Sequence, residues 1–440
     1  MVEHVVTASA DVWERQREVL FDAVRPFYAE PLALHEGEGV WVKDVDGRAY
    51  LDLFAGILTT SLGHCHPRIV SAVQDQVGRL GHTSTLYVTQ PQVEAAERLV
   101  GITPGRLDRV FFTNSGTEAI ETALSLARMH TGRTEIVALR HAYHGRTDVA
   151  RSLTAHASWR GLPSLVAGVT HTVAPYPYRA PIGEASDEEL VDYYARDLIE
   201  AIETTTNGQP AALIAETIQG VGGFIVPPKG YFQRMADIIR SYGGVFISDE
   251  VQAGFGRTGG KWFGIEHWET TPDIMVMAKG IAGGLPVGAT VARADVSASW
   301  RGKTLSTFGG NPISMAGMAA ALDVMVEEDV RARARERGLQ LRAGLDTLAA
   351  RFDWIGEVRG MGLMQGMELV EDPFTKEPGP AVMKSLLEAT RSEGLLIGAG
   401  GLNGHVVRIG PSLLIDEAEV AEALARLERA CVRVDEGRSS

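Results

Sequence analysis

Between about residue 66 and residue 315 the chain repeats one pattern, a short apolar run followed by a stretch with helical spacing. The runs are "RVFFTN", "TEIVAL", "AALIAE", "GVFISDE" and "DIMVMAK". Runs this short and this continuously apolar fit strands covered on both faces, and the helices between them supply the crossovers that parallel strands need. The alternation predicts an α/β fold, with a mostly parallel sheet and helices on both sides. Ahead of it, residues 1 to about 65 open with a polar segment. "GVWVKD" and "RAYLDLF" then alternate apolar and polar side chains about Val45, Asp46 and Gly47, which predicts a hairpin. From 316 to 440 come a charged helix ("EEDVRARARERGLQLRAGLDTLAARF"), strands in "GLMQGMEL" and "HVVRIG", and a last helix from near Asp416. This part reads as a smaller α/β domain whose final "VDEGRSS" is expected to fray.

Composition narrows the classes of function. A chain of 440 residues with a formal net charge of −14 is large enough for a sizeable core and repels nucleic acid. Cys65 and Cys431 stand far apart and imply no disulfide framework, as expected of a reducing compartment. "MVEHVVTASADVWERQ" has neither a basic start nor an apolar core, and no apolar run reaches membrane-spanning length. The expectation is a cytoplasmic protein without membrane or nucleic-acid partners.

Charge placement singles out the chemistry. Lys279 follows the apolar run Ile274, Met275, Val276, Met277 and Ala278, and Asp249 follows Val245, Phe246, Ile247 and Ser248. Ligands in open α/β sheets collect beyond the carboxyl ends of the strands, where both charges would project. The competing reading is a buried ion pair, which often stabilises no better than apolar packing. A third strand end, "RVFFTNSGTEAIETALSLARMHTG", runs through a small-residue turn into an amphipathic helix ending at Gly132. Ser115 and Glu118 have the spacing of a capping box, and Gly116 lets an anion approach the helix N-terminus. On its own this pattern describes any well-capped helix; beside Lys279 and Asp249 it becomes a phosphate cradle.

Two other stretches carry less. "GFGRTG" (Gly254 to Gly259) matches a dinucleotide fingerprint, with Asp273 near the expected acidic position, but neither a strand directly before it nor a helical period after it supports that reading. "GHCHP" (Gly63 to Pro67) gathers two histidines and a cysteine without a nearby fourth ligand, so no metal site is expected. A lysine, a carboxylate and a phosphate cradle together suit pyridoxal phosphate. Its aldehyde needs an amine, its ring nitrogen a carboxylate, and its phosphate an anion site. "RHAYHGRT" adds Tyr143 and His144 as aromatic side chains for the ring.

At this point the chain resembles the class III aminotransferases, of the fold-type I group of pyridoxal-phosphate enzymes. The resemblance runs from "YLDLFAGI" and "LGHCHP" through "NSGTEA", "AYHGRT" and "ISDEVQAGFGRTG" to "MAKGIAGGLPVGA", "STFGGNP", "EVRGMGLM" and "VVRIGPSL". It implies that Lys279 holds the cofactor as a Schiff base, that Asp249 pairs with the pyridine nitrogen and that Gln252 reaches the phenolic oxygen. It implies that Tyr143 and Val251 cover the ring faces. Ser115, Gly116 and Thr117 would hold the phosphate, joined by Thr307 from the neighbouring subunit of a homodimer. It also implies a ping-pong exchange between an amino donor and a keto acid, and a small domain built from both chain ends.

Substrate residues follow from the same resemblance. Glu216 stands where the family's Glu-Pro begins, with Thr217 in place of the proline, and Arg408 matches the arginine that grips the α-carboxylate. Val221 replaces the glutamate that pairs with that arginine in 4-aminobutyrate- and ornithine-type members. This favours members similar to alanine–glyoxylate and ω-amino-acid–pyruvate aminotransferases. Arg146 matches the position where 4-aminobutyrate-type members bind a distal carboxylate, so pyruvate, glyoxylate and 2-oxoglutarate all stay open as acceptors. An aminomutase, racemase or phospho-lyase would share most of these residues. A non-catalytic protein of this fold would not need Lys279 and Asp249.

Overall fold

A computed structural model describes residues 8–161 and 166–439. Its centre is a seven-stranded sheet in the order Leu107–Thr113, Gly288–Arg293, Ile274–Met277, Val245–Asp249, Ala212–Glu216, Ile136–Leu139, Val169–Thr172. Only Gly288–Arg293 runs against its neighbours. The four strands at 136, 212, 245 and 274 are buried at every position, as their unbroken apolar runs require. Register matters most at their ends. Glu216 lies opposite Asp249, and Asp249 opposite Val276, so the charged residues emerge from one edge of the sheet.

The helix Gly116–Thr131 packs across this sheet and stops at Gly132, whose φ of 70° ends the helix as expected. Gly288 explains how closely helix and sheet meet. It pairs with Thr113, and a Cβ there would lie 2.2 Å from the Ser115 carbonyl oxygen.

The chain ends meet in a second sheet. Trp41–Asp44 and Ala49–Asp52 form the expected hairpin, and Leu395–Leu396 joins it in parallel. A third sheet holds Ile355–Met361, Met364–Asp372, Val406–Ile409 and Gly398–Gly400. The helix Pro312–Glu327 crosses residue 316, so no break in secondary structure falls there, and the charged helix begins at Val330, after Asp329 turns the chain at a φ of 38°. The final "VDEGRSS", expected to fray, is helical as far as Ser439. The helix Glu417–Ser439 continues through it because Val434 is buried and Asp435 accepts a hydrogen bond from the Trp354 indole at 3.1 Å.

Polar bolts join the central sheet to the terminal ones. Glu368 is fully buried and accepts from the Tyr176 phenol, from Arg179 Nε at 2.5 Å, from Arg359 at 2.6 Å and from His405 Nε2 at 3.2 Å. Burial alone would raise its carboxyl, but His405, Arg359, Tyr176 and Arg179 hold it far below the usual carboxylate range. Arg257, inside "GFGRTG", is buried and donates to the carbonyls of Leu363 and Pro411 and to Ser61 Oγ. Gly259 presses on the helix backbone at Arg335, and Asp273 binds Arg240, Arg293 and the Phe246 N–H. That glycine-rich stretch is a packing joint. In "GHCHP", His64 Nε2 bonds Asp52 at 2.9 Å. Among the described residues, no cluster of three or more His, Cys, Asp or Glu could hold a metal ion.

Candidate active site

Lys279 arrives at its place through a strained turn. The strand ends at Met277, and Lys279 then takes a φ of 49°, in the left-handed region that disfavours any residue with a Cβ by roughly 1–2 kcal/mol. Gly280 follows because a Cβ there would lie 2.5 Å from Ser61 Oγ. The turn sends the lysine side chain into a cleft of about 550 Å³, mouth included, which Gly116, Thr117, Tyr143, Glu216, Asp249 and Gln252 also line. Burial lowers its ammonium pKa to about 8, although Asp249 and Glu216 favour the charged form, and Arg408 adds to the fall.

Asp249 is fixed on both oxygens. Oδ1 accepts from the Val251 N–H at 3.0 Å, and Oδ2 meets His144 Nδ1 at 2.7 Å. Burial alone would lower the His144 pKa, but the hydrogen bond and charge of Asp249 raise it. His144, expected beside Tyr143 at the ring, lines the cleft and is bonded to Asp249. Its backbone N–H bonds Thr154 Oγ1 at 3.0 Å, which locks the segment in place. Tyr143 remains at the cleft wall, its ring edge-on to Trp159 at 5.7 Å.

The helix start at Ser115 caps as expected on one side only. Ser115 Oγ accepts from the Glu118 N–H at 3.2 Å, whereas Glu118 reaches past Ser115 to the Asn114 N–H at 2.6 Å. First-turn N–H groups have no acceptor within a helix, and Gly116 and Thr117 bring theirs to the cleft. Val251 packs against this point, 3.3 Å from where a Gly116 Cβ would sit. Gln252 is buried beside Gly220, and its Oε1 has no hydrogen-bond partner among the described residues.

The residues expected to meet substrate divide into three kinds. Arg408 is 5% exposed, lies between Phe54 and Phe224 at 4.9 and 5.8 Å, and donates to the carbonyls of Ala399 at 2.9 Å and Gly220 at 3.4 Å. Among the described residues no carboxylate forms an ion pair with it, and burial lowers its pKa to about 10, with Glu216 opposing. Val221 is buried nearby and forms no gate. Glu216 lines the cleft, and its two oxygens accept from the N–H groups of Tyr143 and Gly220. Arg146 is exposed and lies outside the lining of the cleft, as does Thr307, the residue expected to reach a partner's phosphate site. Phe54, Phe224 and Trp159 escaped the sequence reading, since an apolar side chain gives no sign of which charge it will flank.

A buried lysine, an oriented carboxylate, a helix N-terminus and an unpartnered buried amide oxygen share one cleft. This donor set fits pyridoxal phosphate, which presents an aldehyde, a basic ring nitrogen and a phosphate. The family model for aminotransferase class-III matches residues 25–431. The chain is a class III aminotransferase. A mitochondrial alanine–glyoxylate aminotransferase 2 homolog of Arabidopsis thaliana is 40% identical, over 92% of this chain and 84% of that one. The acetylornithine aminotransferase of Methanopyrus kandleri is 39% identical over 90% and 93%. Among solved structures, an (S)-enantioselective omega-transaminase from Thermomicrobium roseum matches with a TM-score of 0.89 at 33% identity, covering 97% of this chain and 99% of that one. A PLP-bound amine transaminase from an uncultivated Pseudomonas species matches with a TM-score of 0.88 at 30% identity, covering 94% and 99%. The aminotransferase has the fold of fold-type I transaminases, and its cofactor is pyridoxal phosphate.

Proposed function

We propose that this aminotransferase moves an amino group from alanine, or a similar amino acid with one carboxylate, to pyruvate or glyoxylate. The observation that carries the substrate class is Arg408, a buried guanidinium without a carboxylate ion-pair partner among the described residues. A planar fork of donors in a desolvated site calls for a carboxylate, and lysine would not reproduce its paired geometry. Val221 beside it supplies no carboxylate to pair with Arg408 when a substrate lacks that group. The similarity to an alanine–glyoxylate aminotransferase 2 homolog supports the same class. A second reading rests on Arg146, exposed beyond the cleft, and on a probable 4-aminobutyrate aminotransferase of Bacillus subtilis that is 34% identical over 89% of this chain and 91% of that one. It adds ω-amine donors and 2-oxoglutarate, whose second carboxylate Arg146 would meet.

In this reading Lys279 bonds the cofactor and Asp249 keeps a proton on its ring nitrogen. Ser115, Gly116 and Thr117 take the phosphate, Tyr143 and Val251 cover the ring, and Gln252 meets the phenolic oxygen. Bound there, the cofactor supplies an aldehyde for the amino group and a ring that delocalises the electron pair left when the substrate Cα–H bond breaks. Lys279 Nζ carries that proton: its pKa near 8 leaves part of it neutral at working pH, as a general base requires. His144 keeps Asp249 turned toward its task.

We further infer two lobes, residues 66–315 for the cofactor and 316–440 with 1–65 for the smaller one; the pairing of Leu395–Leu396 with Ala49–Asp52 supports this. We also infer a cytoplasmic homodimer, with Thr307 reaching the partner's cleft, and no membrane or nucleic-acid partner. The exposure of Thr307, Leu305 and Phe308 supports the shared site, and two free cysteines support a reducing compartment.

The test is a half-reaction screen. Cofactor-loaded protein is mixed with amino donors while its visible absorbance is followed, and keto acids are then offered to restore the spectrum. Alanine and pyruvate should act as a pair, and Arg408→Ala should abolish both; unchanged pyruvate turnover would refute the carboxylate assignment. For the dimer, subunits bearing Lys279→Ala and Thr307→Ala should regain wild-type sites when mixed. Defects that persist on mixing would place Thr307 in its own chain's site.

A further inference from the structure

Glu216 ends the strand Ala212–Glu216 and is only 4% exposed, yet its carboxylate forms no ion pair among the described residues. Its two oxygens hold two separate pieces of backbone. Oε1 accepts from the Tyr143 N–H at 2.9 Å, and Oε2 accepts from the Gly220 N–H at 2.8 Å. Tyr143 forms one wall of the cleft. Gly220 opens a turn whose carbonyls serve the other side: Gly220 accepts from Arg408, Val221 from the Gly401 N–H at 2.9 Å, and Gly223 from Arg359 Nε at 2.8 Å. The turn has little freedom to adjust, since a Cβ on Gly220 would lie 2.2 Å from Gln252 Nε2. An ionised carboxylate suits this position because it offers two acceptors and no donor; a carboxamide would turn an NH₂ group toward one of the two N–H groups.

We propose that Glu216 is a positioning residue for transamination: its ionised carboxylate ties the Tyr143 backbone to the Gly220 turn, and proton uptake releases one arm and loosens the seat of Arg408. The consequence for substrate affinity rests on the reading of Arg408 as the carboxylate site; the tie itself does not. Burial pushes the Glu216 carboxyl up to about 7, with His144 lowering it and Asp249 raising it. Lys279 and Arg408 also face it, and both feel its charge. A protonated carboxyl carries its proton on one oxygen, so one of its two N–H partners faces a donor and a weaker acceptor. The tie is therefore closed above about pH 7 and opens below it.

Hydrogen exchange on the cofactor-free protein, read at residue resolution by fragmentation mass spectrometry and corrected for intrinsic rates, tests the tie directly. At pH 8 the Tyr143 and Gly220 amides should exchange about tenfold faster in Glu216→Gln than in wild type. Glu216→Asp, which keeps two acceptors on a shorter arm, should recover part of the protection. Wild type should approach the glutamine variant below pH 6, an arm that needs no variant to fold. With cofactor bound, the wild-type KM for pyruvate should rise below pH 7 more steeply than kcat falls, and in Glu216→Gln it should be raised and flat with pH. Equal protection of both amides in wild type and Glu216→Gln, or wild-type protection constant from pH 6 to 8, would overturn the tie. A flat wild-type KM would overturn its consequence for Arg408. If Arg408→Ala spares pyruvate affinity, the carboxylate reading falls while the exchange result still decides the tie.

Discussion

Replacing Arg408 with methionine separates affinity from stability. The fall of the guanidinium pKa from 12.5 to about 10 means that the fold disfavours this charge. Because the folded value lies below the free one, that penalty is fully present at pH 7 and amounts to about 3 kcal/mol. Methionine removes it and keeps an unbranched apolar chain between Phe54 and Phe224. Against this, the Ala399 and Gly220 carbonyls lose their donor, at about 1–1.5 kcal/mol each. The two effects nearly cancel, so the variant should fold with a Tm within a few degrees of wild type. Its substrate affinity should not survive. Removing one partner of a buried, hydrogen-bonded charge pair costs about 2–5 kcal/mol, or roughly 30- to 5,000-fold. Steady-state kinetics should show KM for pyruvate rising by that factor, while an amine donor without a carboxylate bleaches the cofactor absorbance at a near-normal rate. A pyruvate KM within threefold of wild type, in a protein of unchanged Tm, would refute the argument.

Other perturbations probe the neighbouring charges. In the cofactor-free protein, labelling of the Lys279 peptide by an amine reagent should follow a pKa near 8 and shift lower in Asp249→Asn, because Asp249 favours the ammonium form; a shift upward would contradict that geometry. The charged lysine destabilises the cofactor-free fold below about pH 8, so Tm should carry a component that rises with pH between 8 and 10.5 and is missing in Lys279→Met. Val221→Glu should pair with Arg408 and raise KM for pyruvate about tenfold or more, checked by the same kinetics; an unchanged KM would show that the two do not meet. Glu368→Gln should lower stability by about 3–5 kcal/mol in urea unfolding, since Arg359 and Arg179 would lose their shared carboxylate.

Strand ends were legible because burial and charge conflict there. An apolar run closing on Lys279 or Asp249 has few explanations, and the sheet register brings both to one edge. The hairpin about Val45 to Gly47 was legible from alternation, and the helix after Ser115 from its small-residue start and its glycine stop. The antiparallel strand Gly288–Arg293 was not, since "GATVAR" is short and gives no direction. Neither was the partner of any distant charge. His144 lies 105 residues from Asp249, and Tyr176 lies 192 from Glu368, separations that only the fold resolves. The backbone partners of Glu216 were not legible either, because a carboxylate that serves backbone looks the same in sequence as one that serves a ligand.

The bolts around Glu368 limit how this molecule can adapt. Tyr176 and Arg179 follow the central sheet, whereas Arg359 and Glu368 belong to the third one and His405 directly precedes its strand Val406–Ile409. Any rocking of one sheet past the other would strand the buried Glu368 and Arg359, at several kcal/mol for each charge left unpaired. Room for bulkier substrates therefore has to come from the rim of the cleft, where Trp159 is 54% exposed and stands edge-on to Tyr143. Efforts to broaden the accepted amines should begin by trimming that indole, and should leave the bolts intact.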